Sequence, residues 1–252
     1  MNQNNTKSEI DFKYLLTQIK KQGIAEINDF IDQKKLNELQ NFIYNEINTK
    51  QKGYRGCVGA KNLESSPFKN IDSNYGITKI FERLLLQISK FKRNDNKLYQ
   101  VLRVLSGENQ GLKQAYKFHY DAYVLTALLP IIIPNRADGM NGDFLYLMNR
   151  RKLHQNFLRN VFQKLIIQNP ITQYFLRKKY IQKLLDIKIC KLKPGNLYLF
   201  LGFQTIHGNG LCSPNSPRAT LLLHYSDPFN ENLFFKNIEN LNILRTNIRN
   251  LK

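Results

Sequence analysis

At 252 residues with 42% hydrophobic side chains, the chain is long enough to bury one core, and its longest apolar run, residues 123–134, contains Pro130 and is too short to span a bilayer. A net charge of +19 would suit an anionic partner, yet Lys, Asn, Ile, Phe and Tyr are all abundant and Trp is absent, the bias of AT-rich coding, so a solvated lysine surface accounts for the charge equally well. Three scattered cysteines, Cys57, Cys190 and Cys212, make neither a disulfide framework nor a zinc knuckle, and the polar first residues lack a signal peptide's apolar stretch, so a reducing, cytoplasmic setting is expected.

Residues 1–9 are polar and expected to fray. Residues 10–95 read as a supporting layer. It begins with an amphipathic turn or helix over 10–19 and a short strand over 23–27. Asp32 then N-caps a helix whose Leu36, Leu39, Phe42, Ile43 and Ile47 recur at helical spacing. Residues 48–78, with Gly53, Gly56, Gly59 and Pro67, read as loop-rich; Arg55 and Lys61 there are candidate substrate contacts beside the plainer reading of a solvated face. A second supporting helix is expected over 77–91, with Ile80, Phe81, Leu84, Leu85 and Ile88 on one side.

From residue 98 the period shortens towards two. Strands are expected over 99–105, 118–133 with an interruption at Pro130, and 144–148, with a loop at 106–111. They resume over 187–192, 197–203, around His207 and over 218–226, with Pro194-Gly195 as a turn. Between the two sets, residues 150–186 return to helical spacing, as in Phe157, Leu158, Val161, Phe162, Leu165 and Ile166, with basic residues from Arg150 to Lys183 among them. This reads as a helical insertion with a cationic outer face: a lid, a peripheral membrane contact or a decorated surface pair. The tail, 228–252, is polar with a weak helical pattern and no assigned role. Many short strands with helices in front predict a mainly β domain spanning 1–252, a small barrel or two-sheet jelly roll built from 98–148 and 187–227.

The chemistry gathers at Lys117-Phe118-His119-Tyr120-Asp121. In an extended segment His119 and Asp121 project the same way, and Tyr120 the other. His-X-Asp alone arises readily by chance, but His207 follows on a later apolar strand, and Arg218 lies eleven residues beyond it. Two histidines and a carboxylate make a facial triad that leaves positions open on a divalent iron. An arginine offers the planar fork that holds a carboxylate. Of the other histidines, His154 is expected to be exposed in the insertion, and His224, after an apolar triplet, reads as structural. Cupin-type barrels show denser histidine patterns.

The ordered set resembles the non-haem iron, 2-oxoglutarate-dependent oxygenases, and the interval from His207 to Arg218 resembles their phytanoyl-CoA dioxygenase-like branch. Asp29-Phe30 before the capped helix and Pro194-Gly195-Asn196-Leu197 before the distal histidine resemble it too. The resemblance implies a double-stranded β-helix with Fe(II) on His119, Asp121 and His207. It also implies 2-oxoglutarate on Arg218, O2 as co-reactant, and Tyr116 and Asn209 where family members touch the cosubstrate. Asn209 stands where serine is frequent. The retained Asp121 speaks against halogenation, for which a small residue replaces that carboxylate. The implied activity is hydroxylation of a small-molecule or carrier-linked substrate with release of succinate and CO2. The alternative is a non-catalytic oxygenase-fold module whose basic insertion docks an anionic polymer or membrane surface. With no aromatic-basic motif, nucleic acid is not expected as a partner. Substrate identity and oligomeric state are not legible.

Overall fold

The computed structural model describes residues 10–49, 53–58, 63, 65–88, 98–107, 110–214 and 216–229, without the side chains of 46–49 and 53–58. The readings of residues 1–9, 89–97, Lys61, the Arg55 and Ile47 side chains and the tail beyond Phe229 lie outside the described residues.

The supporting layer forms where apolar residues recur three and four apart. α1 (Phe12–Gln22) starts where the Asp11 carboxylate accepts from the Tyr14 N–H at 2.9 Å and stops at Gly23, whose φ of +84° suits a residue without a side chain. After β1 (Ile24–Ile27), α2 (Gln33–Thr49) begins at Asp32, whose Oδ1 accepts from the Lys35 N–H at 2.8 Å, the expected cap. β2 (Gly53–Val58), α3 (Ile71–Tyr75) and α4 (Ile77–Ile88) follow. The loop expected over 48–78 is therefore corrected: β2 pairs antiparallel with β3 (Tyr99–Ser106) along its whole length. Gly53 and Gly56 punctuate a chain read in isolation, but in an edge strand the backbone ladder holds them. α5 (Gln110–Gln114) likewise takes up part of the loop expected after β3.

β4 (Leu125–Ile132), β5 (Phe144–Leu147), β6 (Lys188–Cys190), β7 (Leu197–Phe200), β8 (Ile206–Asn209) and β9 (Arg218–Tyr225) complete the strands. They form a six-stranded sheet, ordered β1-β7-β4-β9-β3-β2, and a three-stranded sheet, β6-β5-β8. All pairings between neighbouring strands are antiparallel. Leu128, Tyr198, Phe200 and Leu222 of the large sheet meet Phe144 and Tyr146 of the small one in the space between them. On the opposite face of the large sheet, Ala127, Leu129, Leu199, Leu221 and Leu223 pack against the helices through Leu39, Phe81 and Leu84. With both faces covered, every residue of β4 and β9 is buried, which is why neither shows an alternation of apolar and polar residues. Each fully buried Leu or Phe contributes roughly 1.5–3 kcal/mol. At Pro130, which has no N–H for the ladder, the register of β4 on β9 shifts as expected of an interruption.

The long strand expected over 118–133 starts late. Tyr116 takes a left-handed φ of +55°, and the backbone N–H groups of Phe118, His119 and Asp121 are spent on Gln173, His207 and Gly202 instead of a ladder. Regular pairing begins only at Leu125.

The insertion is helical as expected: α6 (Phe157–Gln168), α7 (Pro170–Leu176) and α8 (Lys179–Leu184). Leu176 of α7 covers the outside of the small sheet with Phe118, Leu145 and Ile206. Its outer face carries the expected cations, Arg159, Arg177, Lys179 and Lys183, but departs from the expectation elsewhere. Arg151 and Asn160 are buried, His154 is half-buried against Phe203 at 5.3 Å, and the apolar stripe of α6 points outward. A buried arginine demands polar partners, and Asn160 and Gln163 of α6 turn inward to supply them.

Candidate metal centre

Two backbone hydrogen bonds tie the sheets together where the chemistry lies. His119 N–H donates to His207 C=O and His207 N–H to His119 C=O, each at 2.9 Å, an isolated antiparallel bridge that sets the two imidazole centres 4.4 Å apart with their planes inclined by 54°. Each ring then anchors one nitrogen on a main-chain carbonyl: His119 Nδ1 on Lys117 C=O at 2.9 Å and His207 Nδ1 on Thr205 C=O at 3.0 Å. A carbonyl only accepts, so each Nδ1 carries a hydrogen, and in the neutral ring Nε2 keeps the lone pair that a metal would use. Those lone pairs point at Asp121 Oδ1, 3.7 Å from His119 Nε2 and 3.4 Å from His207 Nε2. One ligand atom from each of the three side chains lies within 4.8 Å of the others. Two imidazole nitrogens and a carboxylate oxygen facing one another suit a divalent transition metal.

The carboxylate is itself held. Thr126 Oγ1 donates to Asp121 Oδ2 at 2.6 Å and pairs with His224 Nδ1 at 3.0 Å, while the Asp121 N–H reaches Gly202 C=O at 3.0 Å. A Cβ at Gly202 would collide with Thr126 Oγ1 and Asp121 Oδ2, so this close approach requires glycine. Burial works against the Asp121 charge, but His207, His224 and His119 around it prevail and hold the carboxyl well below the usual carboxylate range. Burial, then the neighbouring His207, draws His119 down to about 3, although 28% of its side chain still faces the cavity. Burial likewise takes His224 to about 4, so both rings stay neutral at neutral pH, His119 to ligate and His224 to back Thr126.

Beside His119 opens a cavity of about 740 Å³ whose wall includes Arg103, Lys117, Arg177 and Arg218 and, among the described residues, no carboxylate. Arg218 is the deepest of these cations. It lies on β9 opposite Leu105 of β3, and its fork is steadied by Asn209 Oδ1, which accepts from Nη2 at 3.1 Å. Gly142, at φ +70°, leaves it room, since a Cβ there would come within 2.7 Å of Arg218 Cδ. Burial lowers its pKa to about 10, and Arg218 Nε has no hydrogen-bond partner among the described residues. A buried guanidinium with an unspent donor is set to receive an anion.

His119, Asp121 and His207 thus converge, and Asn209 and Arg218 stand with them at the cavity. Tyr116 does not: its side chain borders a different cavity beside Asp143 and Gln182, and only its N–H, on Asn209 C=O at 2.7 Å, touches this neighbourhood.

No family model matches the sequence, and no curated protein is similar to it. Solved structures are similar in shape. The epimerase SnoN in complex with Fe3+, alpha ketoglutarate and nogalamycin RO aligns over 86% of this chain and 83% of its own, with TM-score 0.56 and 13% identity. A prolyl hydroxylase from Trichoplax adhaerens, bound to a hypoxia inducible factor peptide, covers 86% of this chain and 89% of its own, with TM-score 0.54 and 12% identity. A Pseudomonas putida prolyl-4-hydroxylase covers 86% and 98%, with TM-score 0.53 and 8% identity. The fold is the jelly roll of the 2-oxoglutarate oxygenases. At these identities the likeness is one of fold.

Within that jelly roll, three residues around the site have no signal in the sequence. Gln173 of α7 clamps the segment before His119: its Oε1 accepts from the Phe118 N–H at 3.0 Å and its Nε2 donates to Phe118 C=O at 2.8 Å. Arg151 lies sandwiched between Tyr120 and Phe203, with its guanidinium carbon 4.1 and 3.8 Å from their ring centres, and donates to Phe203 C=O. Thr126 is an ordinary threonine in an apolar strand until the register sets it against Asp121.

Proposed function

We propose that this chain is an Fe(II)- and 2-oxoglutarate-dependent dioxygenase of the phytanoyl-CoA dioxygenase-like branch that hydroxylates a small or carrier-linked metabolite. One observation carries the reading: an imidazole nitrogen from each of two histidines and a carboxylate oxygen lie within 4.8 Å of one another beside a cavity whose deepest cation has a donor with no partner among the described residues. The neighbour that binds Fe3+ and alpha ketoglutarate supports the same pair here, and the interval from His207 to Arg218 supports the branch. In this reading 1–252 are one oxygenase-like domain, and free Cys190 and Cys212 suit a reducing cytoplasm.

His119, Asp121 and His207 would hold the iron, which when bound supplies the redox chemistry that couples oxidative decarboxylation of 2-oxoglutarate by O2 to hydroxylation, giving succinate, CO2 and the hydroxylated product. Arg218 takes the far carboxylate of 2-oxoglutarate, and Asn209 fixes the fork for it. Thr126, backed by His224, keeps Asp121 ionised and turned towards the imidazoles. Phe200 and Phe144, 4.9 and 5.6 Å from the His207 ring, shield that side from water. Arg103, Lys117 and Arg177 exceed what one dicarboxylate needs, which supports an anionic substrate such as a phosphate-bearing carrier conjugate. The test is succinate formation from 2-oxoglutarate by protein loaded with Fe(II) without air and then exposed to O2. It is expected above the iron-free control and lost in His207→Ala; a folded protein that binds no Fe(II) overturns the reading.

A further inference from the structure

The helices of the insertion are amphipathic in the reverse sense. α6 buries Asn160 against Arg151 and turns Leu158, 76% exposed, and Phe162, 65% exposed, to solvent with Leu165 and Ile166. These four recur at 158, 162, 165 and 166, one helical face. α7 adds Ile171, Tyr174 and Phe175, and α8 adds Tyr180 and Leu184. α6 packs on α7 and α7 on α8, so the exposed side chains belong to one contiguous layer. Scattered exposed apolar residues are ordinary, but a stripe repeated on three successive helices marks a contact surface.

Charge selects the partner. Residues 150–190 hold ten Lys and Arg and a single acid, Asp186, which pairs with Lys188 at 2.8 Å. Arg159, Arg177, Lys179 and Lys183 are exposed among the apolar side chains. A second copy would bring like charges together, and a nucleic acid has no use for a Leu, Ile and Phe surface. Apolar side chains that enter the acyl boundary, flanked by cations that meet headgroups, match an anionic bilayer. The same helices carry the cavity mouth: Pro170, Tyr174 and Arg177 line it, and Tyr174 is also 57% exposed.

We infer that the outer face of α6–α8 docks on an anionic lipid surface and that the substrate is an anionic amphiphile entering the cavity from that surface. The second half rests on the dioxygenase reading; the docking does not.

Co-sedimentation of the full chain with vesicles separates the two. Binding is expected to vesicles of phosphatidylcholine mixed with phosphatidylglycerol, to weaken with added salt, and to be weak on phosphatidylcholine alone. Leu158→Gln with Phe162→Gln removes two exposed anchors and should weaken binding by about tenfold or more, while leaving thermal stability and substrate-free succinate formation unchanged. Lys179→Gln with Lys183→Gln should weaken it by about tenfold on the mixed vesicles. No binding by the full chain overturns the inference, whether a second copy or residues 230–252 cover the face. Binding indifferent to Leu158 and Phe162 also overturns it. Vesicle binding without succinate formation would sink the oxygenase reading and leave the docking standing.

Discussion

β4 and α6 are both rich in Leu and Ile, yet they spend those residues in opposite ways. β4 is buried at every position, between the small sheet on one side and α2 and α4 on the other. α6 turns its apolar stripe to solvent and its amides inward to Arg151. A hydrophobic pattern states that a face is to be covered, not by what. In the barrel the cover is the chain itself; in the insertion it must come from elsewhere.

The sharpest way to break that comparison is to truncate both. Leu129→Ala or Leu221→Ala, in residues with no exposed surface, should cost about 2–5 kcal/mol. Leu158→Ala should cost within about 0.5 kcal/mol. Chemical denaturation measures both, and equal losses would mean that the α6 stripe is buried in solution.

Inside the site the contrast is between Thr126, whose hydroxyl is spent on Asp121 and His224, and Arg218, whose Nε has no partner among the described residues. Arg218→Met should raise the 2-oxoglutarate concentration needed for half-maximal succinate formation on the order of a hundredfold, since it removes a buried, charge-assisted contact. Thr126→Val should weaken Fe(II) binding about tenfold to a hundredfold, the usual effect of removing a partner of a metal-bound carboxylate, with the fold intact. An unchanged iron affinity would reduce Thr126 to packing.

The smallest effect lies far from the site, at the start of α2. The Lys35 N–H, then the Tyr75 hydroxyl, hold Asp32 below its ordinary carboxylate range. A carboxylate whose folded pKa is depressed contributes stability that is complete above its unfolded value and is lost as pH falls through the folded one. Asp32→Ala should therefore cost about 1 kcal/mol at neutral pH and flatten the acid limb of the thermal stability curve below about pH 4. A variant as acid-sensitive as the parent would remove Asp32 from that limb.

What could be read without coordinates follows from how rare each signal is. Four histidines in the chain make an ordered His119, Asp121, His207 and Arg218 conspicuous, and the consecutive apolar residues 127–132 and 221–223 in β4 and β9 announce a sheet covered on both sides. Gly53 and Gly56 hid β2, because a ladder partner in β3 overrides local propensity. Gln173 and Thr126 were invisible because their roles exist only in tertiary register: one reaches Phe118 across fifty-five positions, and the other meets His224 across ninety-eight. Tyr116 sat at the right interval but, turned by its left-handed backbone, faces another cavity. The direction of the α6 stripe was equally hidden, since period alone does not say which side meets the protein.

Anaerobic titration with Fe(II) in the presence of 2-oxoglutarate, followed by the visible absorption of the ternary complex, bears most directly on the convergence of His119, Asp121 and His207. One iron per chain, abolished in Asp121→Ala and in His207→Ala while both variants keep their thermal transitions, is the predicted result. Iron retained at full stoichiometry by either variant would contradict it.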